Sequence, residues 1–167
     1  GYSVAVDSSG NVYTTGIFRG TVDFDPPALT FLISTGVDDM FVSKLDSSGN
    51  LVWAKSVGNA VGFQTARSVA VDSSGNVYTT GYFQGTVDFD PGAGTTNLTS
   101  SSKDVFVLKL DSSGDYVWAK SFSGTNNGEG YSVAVDSSGN VYTTGFFSYT
   151  VDFDPGAGTA ELTADNP

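Results

Sequence analysis

The sequence predicts an all-β fold built from repeated antiparallel units, and three observations carry this prediction. One phrase of fourteen residues, SVAVDSSGNVYTTG, stands unchanged at residues 3–16, 68–81 and 132–145. The composition, with 21 Gly, 12 Phe and 8 Tyr, favours strands and tight turns over helices. No stretch shows the apolar 3.6-residue spacing of an amphipathic helix over two turns. Each repeat is therefore expected to bury its apolar surface against its neighbours.

The repeated phrase itself predicts a β-hairpin. In the first copy, the β-branched runs at residues 3–6 and 12–15 flank the loop Asp7-Ser8-Ser9-Gly10-Asn11. Such a loop needs a residue that tolerates a positive φ, and Gly10 supplies it. We call these strands a and b; they recur at residues 68–71 and 77–80, and at 132–135 and 141–144.

The remainder of each unit predicts three more strand-like stretches. A TVDFD stretch follows strand b at residues 21–25, 86–90 and 150–154, and the next residue is always Pro, which cannot continue a ladder. Strand c is predicted at residues 39–45 and 104–110, and strand d at 51–56 and 116–122. Residues 28–37 read as a loop and residues 57–67 as a linker between units. Strands c and d of the third unit do not occur in the 167 residues.

Four short antiparallel strands per unit, joined by hairpins and repeated, describe the blade of a β-propeller. The strands are apolar on both faces, since Phe106 and Leu108 alternate with Val105 and Val107, and a sheet stacked between two others needs that pattern. We expect blade 1 at residues 1–67, blade 2 at 68–131 and the first half of blade 3 at 132–167, all in one repeat domain. A parallel β-helix is the alternative, but its coils are shorter and lack paired hairpin turns.

Three phrases carry a resemblance to a known family: GYSVAVDSSGNVYTTG, DVFVLKLDSSGDYVWAKSF and TVDFDPGAGTTNLT. They resemble the SBBP, or seven-bladed β-propeller, repeats of bacterial secreted and cell-surface proteins, and the first phrase is also similar to the NHL propeller repeat. The resemblance implies a propeller fold in a secreted or cell-surface bacterial protein. The repeats counted above make it an incomplete propeller of about two and a half blades. Propellers host many functions, so the resemblance says little about activity. The first unit has Pro26-Pro27-Ala28-Leu29 where the others have PGAG, and its loop is expected to differ.

Charge and composition exclude several classes of function. The chain carries 18 Asp plus Glu against 7 Lys plus Arg, a formal net charge of −11, which would repel nucleic acid and anionic membranes. No stretch approaches the roughly 20 apolar residues of a membrane span, so membrane insertion is not expected. Without Cys there are no disulfides or thiolate metal sites, and without His there is no Ser-His-Asp triad.

The Asp-Phe-Asp triplets are the candidate metal site. In a strand, residues i and i+2 share a face, so each triplet would set two carboxylates roughly 6 to 7 Å apart on one side. Ca²⁺, which prefers six to eight oxygen ligands, would relieve their repulsion. Alternatively, these carboxylates accept hydrogen bonds from backbone N–H groups of the turn that Pro begins. The candidate ligands are Asp23, Asp25, Asp88, Asp90, Asp152 and Asp154.

Other polar and aromatic residues can be interpreted as structural or as functional. An Asp closes the strand before each Ser-Ser-Gly turn, where hydrogen bonding to the backbone two residues on is expected; these are Asp7, Asp46, Asp72, Asp111 and Asp136. Trp53 and Trp118, each followed by a Lys two residues on, favour packing between sheets over sugar binding. Glu129 is expected in a solvated linker. Paired carboxylates could serve a glycosidase, but identical copies in every unit argue against one assembled active site.

The number of blades leads to the functional prediction. Closed propellers have about four to eight blades, so two and a half are too few to close. The third unit should present an unpaired strand edge, and we predict contacts at both ends with neighbouring blades or further copies of the chain. The sequence thus predicts a non-enzymatic extracellular structural or interaction module, with Ca²⁺ as its candidate cofactor and glycans as further candidate partners. The alternative is a carbohydrate-binding or carbohydrate-cleaving propeller.

Overall fold

The computed structural model describes residues 1–26, 28–36, 38–58, 62–124 and 126–165, and all regular structure in these ranges is β. The strands are β1 (Ser3–Val6), β2 (Val12–Phe18), β3 (Thr21–Asp23), β4 (Phe31–Ile33), β5 (Asp39–Leu45), β6 (Leu51–Val57), β7 (Phe63–Val71), β8 (Val77–Asp88), β9 (Asn97–Leu110), β10 (Tyr116–Gly124), β11 (Gly128–Val135), β12 (Val141–Phe147), β13 (Thr150–Asp152) and β14 (Glu161–Thr163). The predicted all-β fold class is confirmed. In the part of the chain described, no helix has the length and apolar character needed to cross a membrane.

The strands form two main antiparallel sheets that repeat the predicted order a-b-c-d. The first sheet has the order β1-β2-β5-β6. The second runs β7-β8-β9-β10 and is extended beyond β10 by β13 and then β14. In β13, Asp152 pairs with Ser123 and Val151 pairs with Gly124 of β10. Strands β11 and β12 pair with each other, as do β3 and β4. The blade boundaries at residues 67/68 and 131/132 stay a prediction.

Several strands differ in length from the prediction. Strand β7 begins at Phe63 and β11 at Gly128, because the residues read as a linker continue the pairing with β8 and β12 past a bulge. The prediction of a loop at residues 28–37 is wrong at β4, which pairs with β3. The TVDFD stretches end as strands at their first Asp rather than the second, since there the ladder gives way to side-chain hydrogen bonds described below.

The sheets are covered on both faces, as the apolar sequence pattern predicts. Residues 77–83 of β8 are all buried, and so are residues 39–43 of β5. An aromatic trio, Phe83, Phe89 and Phe106, lies in the centre of the second unit with ring centroids 4.9 and 5.3 Å apart. Phe18, Phe24 and Phe41 make the same trio in the first unit. The Phe of the second Asp-Phe-Asp triplet is thus a core residue, whereas Phe24 is half-buried and Phe153 is exposed.

Successive units are joined through their a strands. The Ser3 hydroxyl oxygen accepts a hydrogen bond from the Val69 amide at 3.2 Å, and Ser68 accepts one from Val133 at 3.2 Å. Val69 and Val133 are 5% and 6% exposed, whereas Val4, at the same place in the first unit, is 63% exposed. The first residues of the repeated phrase therefore form the contact between units.

The loop between strands a and b is built on its Asp. Asp72 Oδ1 accepts the amides of Ser74 and Asn76, both at 2.9 Å, while Oδ2 accepts the Asn76 side chain at 2.8 Å and the Tyr78 hydroxyl at 3.1 Å. Gly75 has a φ of 80°, which confirms the conformation predicted for this Gly in the repeat. The first and third copies make the same bonds from Asp7 and Asp136. The predicted turn role of these Asp residues is confirmed.

We expect Asp72→Asn to lower the free energy of unfolding at pH 7 by about 1–2 kcal/mol. Both carboxylate oxygens of Asp72 accept hydrogen bonds, and the amide nitrogen that replaces one of them in Asn cannot accept. Burial raises the pKa of the Asp72 carboxyl, but the bonds from Asn76, Tyr78 and Ser74 outweigh it and hold the pKa below its usual value. The carboxylate therefore stabilises the fold above about pH 4, and this contribution is lost as the pH falls through the lower folded-state pKa.

Urea unfolding of both proteins at pH 7 and pH 3 measures this effect. The difference between wild type and Asp72→Asn should shrink at pH 3, and a difference that is equal at both pH values would contradict the role of the charge. The exposed Asp165, for which the structure shows no hydrogen bond to a described residue, provides the control substitution Asp165→Asn.

Candidate functional site

The first Asp of each Asp-Phe-Asp triplet bonds to the backbone of the turn that follows. Asp88 Oδ1 accepts the amides of Asp90 at 3.1 Å and Thr96 at 2.8 Å. Asp152 Oδ1 accepts those of Asp154 at 2.9 Å and Ala160 at 2.8 Å, and these two bonds lower the pKa of the Asp152 carboxyl. One oxygen of each carboxylate is thus engaged in closing the loop.

The second Asp is enclosed by the glycine loop. Asp90 Oδ1 accepts the Gly92 amide at 2.7 Å, and a Cβ at Gly94 would overlap Asp90 Oδ2. In the third unit, Asp154, Gly156 and Gly158 repeat this arrangement. Gly94 thus lets the backbone approach the carboxylate closely, and a side chain at this position would force the Asp90 carboxylate to move.

The loop of the first unit differs from the other two, which confirms the expectation from its sequence. Asp23 Oδ1 accepts the Asp25 amide at 3.0 Å, as in the other triplets. The chain then turns through Leu29, whose φ is 58° and whose amide bonds to the Asp25 carbonyl at 2.6 Å. Leu29 thus holds its side chain in the left-handed region, which no described non-Gly residue does in the other two loops.

The predicted metal site depends on how many Asp and Glu carboxylates lie close together. Among the described residues, no three or more Asp and Glu side chains come together in a way that could hold a metal ion. Each triplet contributes two carboxylates, and backbone amides already occupy one oxygen of each in the second and third units. Five of the six triplet carboxylates thus fit the hydrogen-bonding interpretation in geometry. The exception is Asp25, which accepts from Leu29 through its backbone carbonyl. Ca²⁺ binding stays a prediction.

In the first unit, the Trp and Lys of strand d contact the next unit. Trp53 Nε1 donates to the Ser112 carbonyl at 3.1 Å, and Lys55 Nζ lies 3.1 Å from Asp115 Oδ1. The Trp53 ring also packs edge-on against Tyr13, with centroids 6.3 Å apart. In the first unit, this Trp packs between sheets, as the sequence favoured.

Glu129 is placed differently from the prediction. Instead of a solvated linker, it lies in β11, where its side chain is mostly buried. Glu129 accepts from Lys103 at 2.8 Å and Arg67 at 3.4 Å, and both cations lie over the Tyr82 ring. The prediction is wrong because strand a starts earlier than the repeated phrase, which brings residue 129 into the contact between units.

The third unit has an open edge beside a cavity. Strand β12 pairs with β11 alone, whereas β2 and β8 each have a strand on both sides. Tyr13 and Tyr78 are 0% and 1% exposed, but the corresponding Tyr142 is 58% exposed. A cavity of about 280 Å³ lies along this edge, lined by Gly145, Phe147, Phe153 and Phe122 among others. The predicted unpaired edge is therefore present in the part of the chain described.

A buried carboxylate at this cavity was not predicted. Asp104 is buried, and burial raises the pKa of its carboxyl, although bonds from Ser100 and Gly124 oppose the shift. The corresponding Asp39 in the first unit accepts from Gln64 Nε2 at 3.1 Å and from Thr35. Alignment of the repeats puts Gly128 at the place of Gln64, a signal that could have revealed the missing donor.

We expect Asp104→Asn and Asp39→Asn to change stability in opposite directions. At pH 7 the Asp104 carboxylate is destabilising, because stability falls as the pH rises from the usual Asp pKa to the raised folded-state value. Asp104→Asn should therefore raise the free energy of unfolding by roughly 1 kcal/mol, and Asp39→Asn should lower it by a similar amount.

Thermal and urea unfolding at pH 7 and pH 4 measure both variants. The gain from Asp104→Asn should diminish at pH 4, because the raised pKa of Asp104 favours the protonated, uncharged carboxyl in the folded wild type as the pH falls. Two variants that lose stability to the same extent would contradict the difference between the two contacts.

Comparison with known proteins agrees with this geometry. The sequence model of the SBBP β-propeller repeat matches residues 64–82 and 117–145. A WD repeat-containing protein of Acanthamoeba polyphaga mimivirus is 31% identical over 157 residues, which cover 87% of this chain and 11% of that protein. The regulatory protein FlaEY of Caulobacter vibrioides is 33% identical over 111 residues, 66% of this chain and 12% of that protein.

The chain thus spans only 11–12% of the length of these curated relatives. The matched segments include strands a and b of the second unit, and β11 with most of β12 in the third. With its repeated four-stranded antiparallel order, the chain is a β-propeller repeat protein that carries SBBP repeats.

Proposed function

We propose that the chain is a non-enzymatic structural and interaction module of a secreted or cell-surface bacterial protein, and that it docks neighbouring β-propeller repeats at both ends. One observation carries the proposal: the same repeat position is buried inside the array and exposed at its end. Val69 and Val133 are covered by the preceding unit, whereas Val4 is exposed. An apolar residue in that position is suited to receive another unit.

The exposed surface at the first unit is broader than one side chain. Tyr2, Val4 and Val6 are all more than half exposed and lie together on or beside β1. At the other end, Tyr142 and Phe146 are exposed on β12. These two surfaces are different from each other, so copies that associate through them would join head to tail in an open chain rather than a closed pair.

The acidic residues support a structural rather than a catalytic role. The turn Asp residues and the triplet Asp residues make the same backbone bonds in successive units, as Asp72 does with Ser74 and Asp88 does with Thr96. A catalytic acid needs a setting that occurs once, with a pKa tuned to its task. Repeated bonds of this kind stabilise turns.

The carbohydrate-binding alternative depends on the Trp residues of strand d. Trp53 is engaged by Tyr13 and the Ser112 carbonyl, which supports its role in packing. Trp118 packs on Tyr78 in the same way, with its indole N–H directed to none of the described residues. A sugar-binding role would therefore centre on Trp118.

Self-association of the 167-residue chain tests the docking of repeats. We expect sedimentation to show oligomers that grow with concentration, and Val4→Asp to abolish them by placing a charge in the apolar contact. Val52→Asp is the matched control, because Val52 and its equivalent Val117 are exposed in both units and lie outside the contact.

Two outcomes would overturn the proposal. Wild type that stays monomeric at all concentrations would remove the docking of copies at the two ends. Specific binding on a glycan array that is lost in Trp118→Ala would favour the carbohydrate-binding alternative.

We further propose that Ca²⁺ binds at the Asp-Phe-Asp loops. The formal net charge of −11 and the paired carboxylates of each triplet favour a divalent cation. At Asp88, the second carboxylate oxygen receives no hydrogen bond from a described residue, and it lies in the same loop as the Asp90 carboxylate. Two such oxygens and loop carbonyls would supply part of a coordination shell.

Thermal unfolding with Ca²⁺ and with a chelator tests this cation. We expect Ca²⁺ to raise the midpoint, since a ligand that binds only the folded state stabilises it. Asp90→Asn should reduce this Ca²⁺-dependent increase, and Asp165→Asn should not. A wild-type midpoint that is identical in Ca²⁺ and chelator would remove the cation from the proposal.

A further inference from the structure

We propose that the open edge of β12 and the cavity beside it form an acceptor for a β-hairpin of the same type as β9–β10, contributed by a further repeat. This inference rests on the docking of repeats proposed above and names the segment that docks at the third unit. The first two units show how such a hairpin is held, and each of its contacts has a counterpart on β12, at the cavity beside it or on β10.

The first contact is the strand pairing itself. Strand β2 pairs with β5 so that Gly16 lies opposite Phe41, and β8 pairs with β9 so that Gly81 lies opposite Phe106. Gly145 of β12 stands at the same place in the repeat. The incoming strand should therefore run antiparallel to β12 and place a Phe opposite Gly145.

The second contact is a side-chain bond to the incoming strand. Thr15 Oγ1 donates to the Phe41 carbonyl at 2.8 Å, and Thr80 Oγ1 to the Phe106 carbonyl at 2.7 Å, and both Thr residues are fully buried. Thr144 is exposed, and its hydroxyl bonds to none of the described residues. A carbonyl of the docked strand would accept this bond.

The cavity fits the aromatic side chain of that strand. In the second unit, Phe106 completes the trio with Phe83 and Phe89. Their counterparts Phe147 and Phe153 pack together with centroids 5.2 Å apart, and both line the cavity of about 280 Å³. An incoming Phe would complete this trio and fill the apolar space between the rings.

The turn and the second strand of the hairpin have their own contacts. Trp53 and Lys55 hold the turn of β9–β10 through the Ser112 carbonyl and the Asp115 carboxylate. Trp118 and Lys120 repeat the pair one unit later, and neither the indole N–H nor the ammonium group has a polar partner among the described residues. A hairpin turn with a carboxylate at the position of Asp115 would satisfy both.

These contacts define the chemistry of the partner and favour a further repeat over a second copy of the chain. The docking segment needs a Phe in its first strand, an acidic residue after its turn, and a Trp in its second strand to cover Tyr142 as Trp118 covers Tyr78. In a second copy, β5 and β9 are central strands paired on both sides, so donating them would dismantle its own sheets. The relatives are several times longer than this chain, with room for more repeats.

A synthetic peptide with the sequence of residues 104–122, DVFVLKLDSSGDYVWAKSF, tests the acceptor when added to the 167-residue chain. We expect saturable one-to-one binding by fluorescence anisotropy and slower amide hydrogen exchange in residues 143–147. A peptide with Phe106→Ala should bind at least tenfold more weakly, and a scrambled peptide should not bind. Lys120→Glu in the chain should weaken binding severalfold, and Asp115→Lys in the peptide should restore it.

The measurement is made at a chain concentration where the protein is monomeric, which separates it from the test of self-association. A chain that never self-associates but captures the peptide would support the acceptor and overturn only the docking of copies. Absence of saturable binding, or binding that leaves exchange at residues 143–147 unchanged, would overturn the acceptor. Equal affinity for the Phe106→Ala peptide would also overturn it, because the cavity would then play no part.

Discussion

Sheets that are apolar on both faces need a neighbour on each side, and the structure of this chain depends on that constraint. In the second unit, seven successive residues of β8 are buried, which a sheet with one solvated face does not allow. The first unit covers one of its faces and the third unit covers the other, with a Ser hydroxyl joining each pair of a strands. Where a neighbour is missing, the same Val and Tyr positions are exposed.

Local polar bonds fix the hairpins and loops of each repeat. Each a–b loop is closed by one Asp that gathers several donors, so the two strands leave the turn in a fixed register. In the second unit, the Asp-Phe-Asp segment combines two roles in three residues: its Phe enters the core, while its carboxylates close the following loop. Core packing and loop closure thus depend on the same three residues.

The sequence predicted the elements whose cause is local. Alternating apolar residues, Ser-Ser-Gly turns and Pro stops were enough to place strands a to d, the positive φ of Gly75 and the role of Asp72. What it missed depends on contacts between units. Phe63 extends a strand because Gln84 lies opposite it, and Glu129 is mostly buried because Lys103 and Arg67 approach from other strands. Asp104 and Asp39 occupy the same place in the repeat. They differ in the residue of the following unit that faces them, which is Gln64 for Asp39 and Gly128 at the same place for Asp104.

The differences at the contacts between units affect how the array assembles. Three identical phrases could in principle exchange places, and repeat proteins are prone to such misassembly. The first contact is marked by Gln64 against Asp39, and the second by Glu129 against Arg67 and Lys103. Exchange of units would bury one of these charges or amides without its partner, at a cost in free energy. The residues outside the repeated phrase therefore favour one order of units over the others, although the phrase itself is identical in all three.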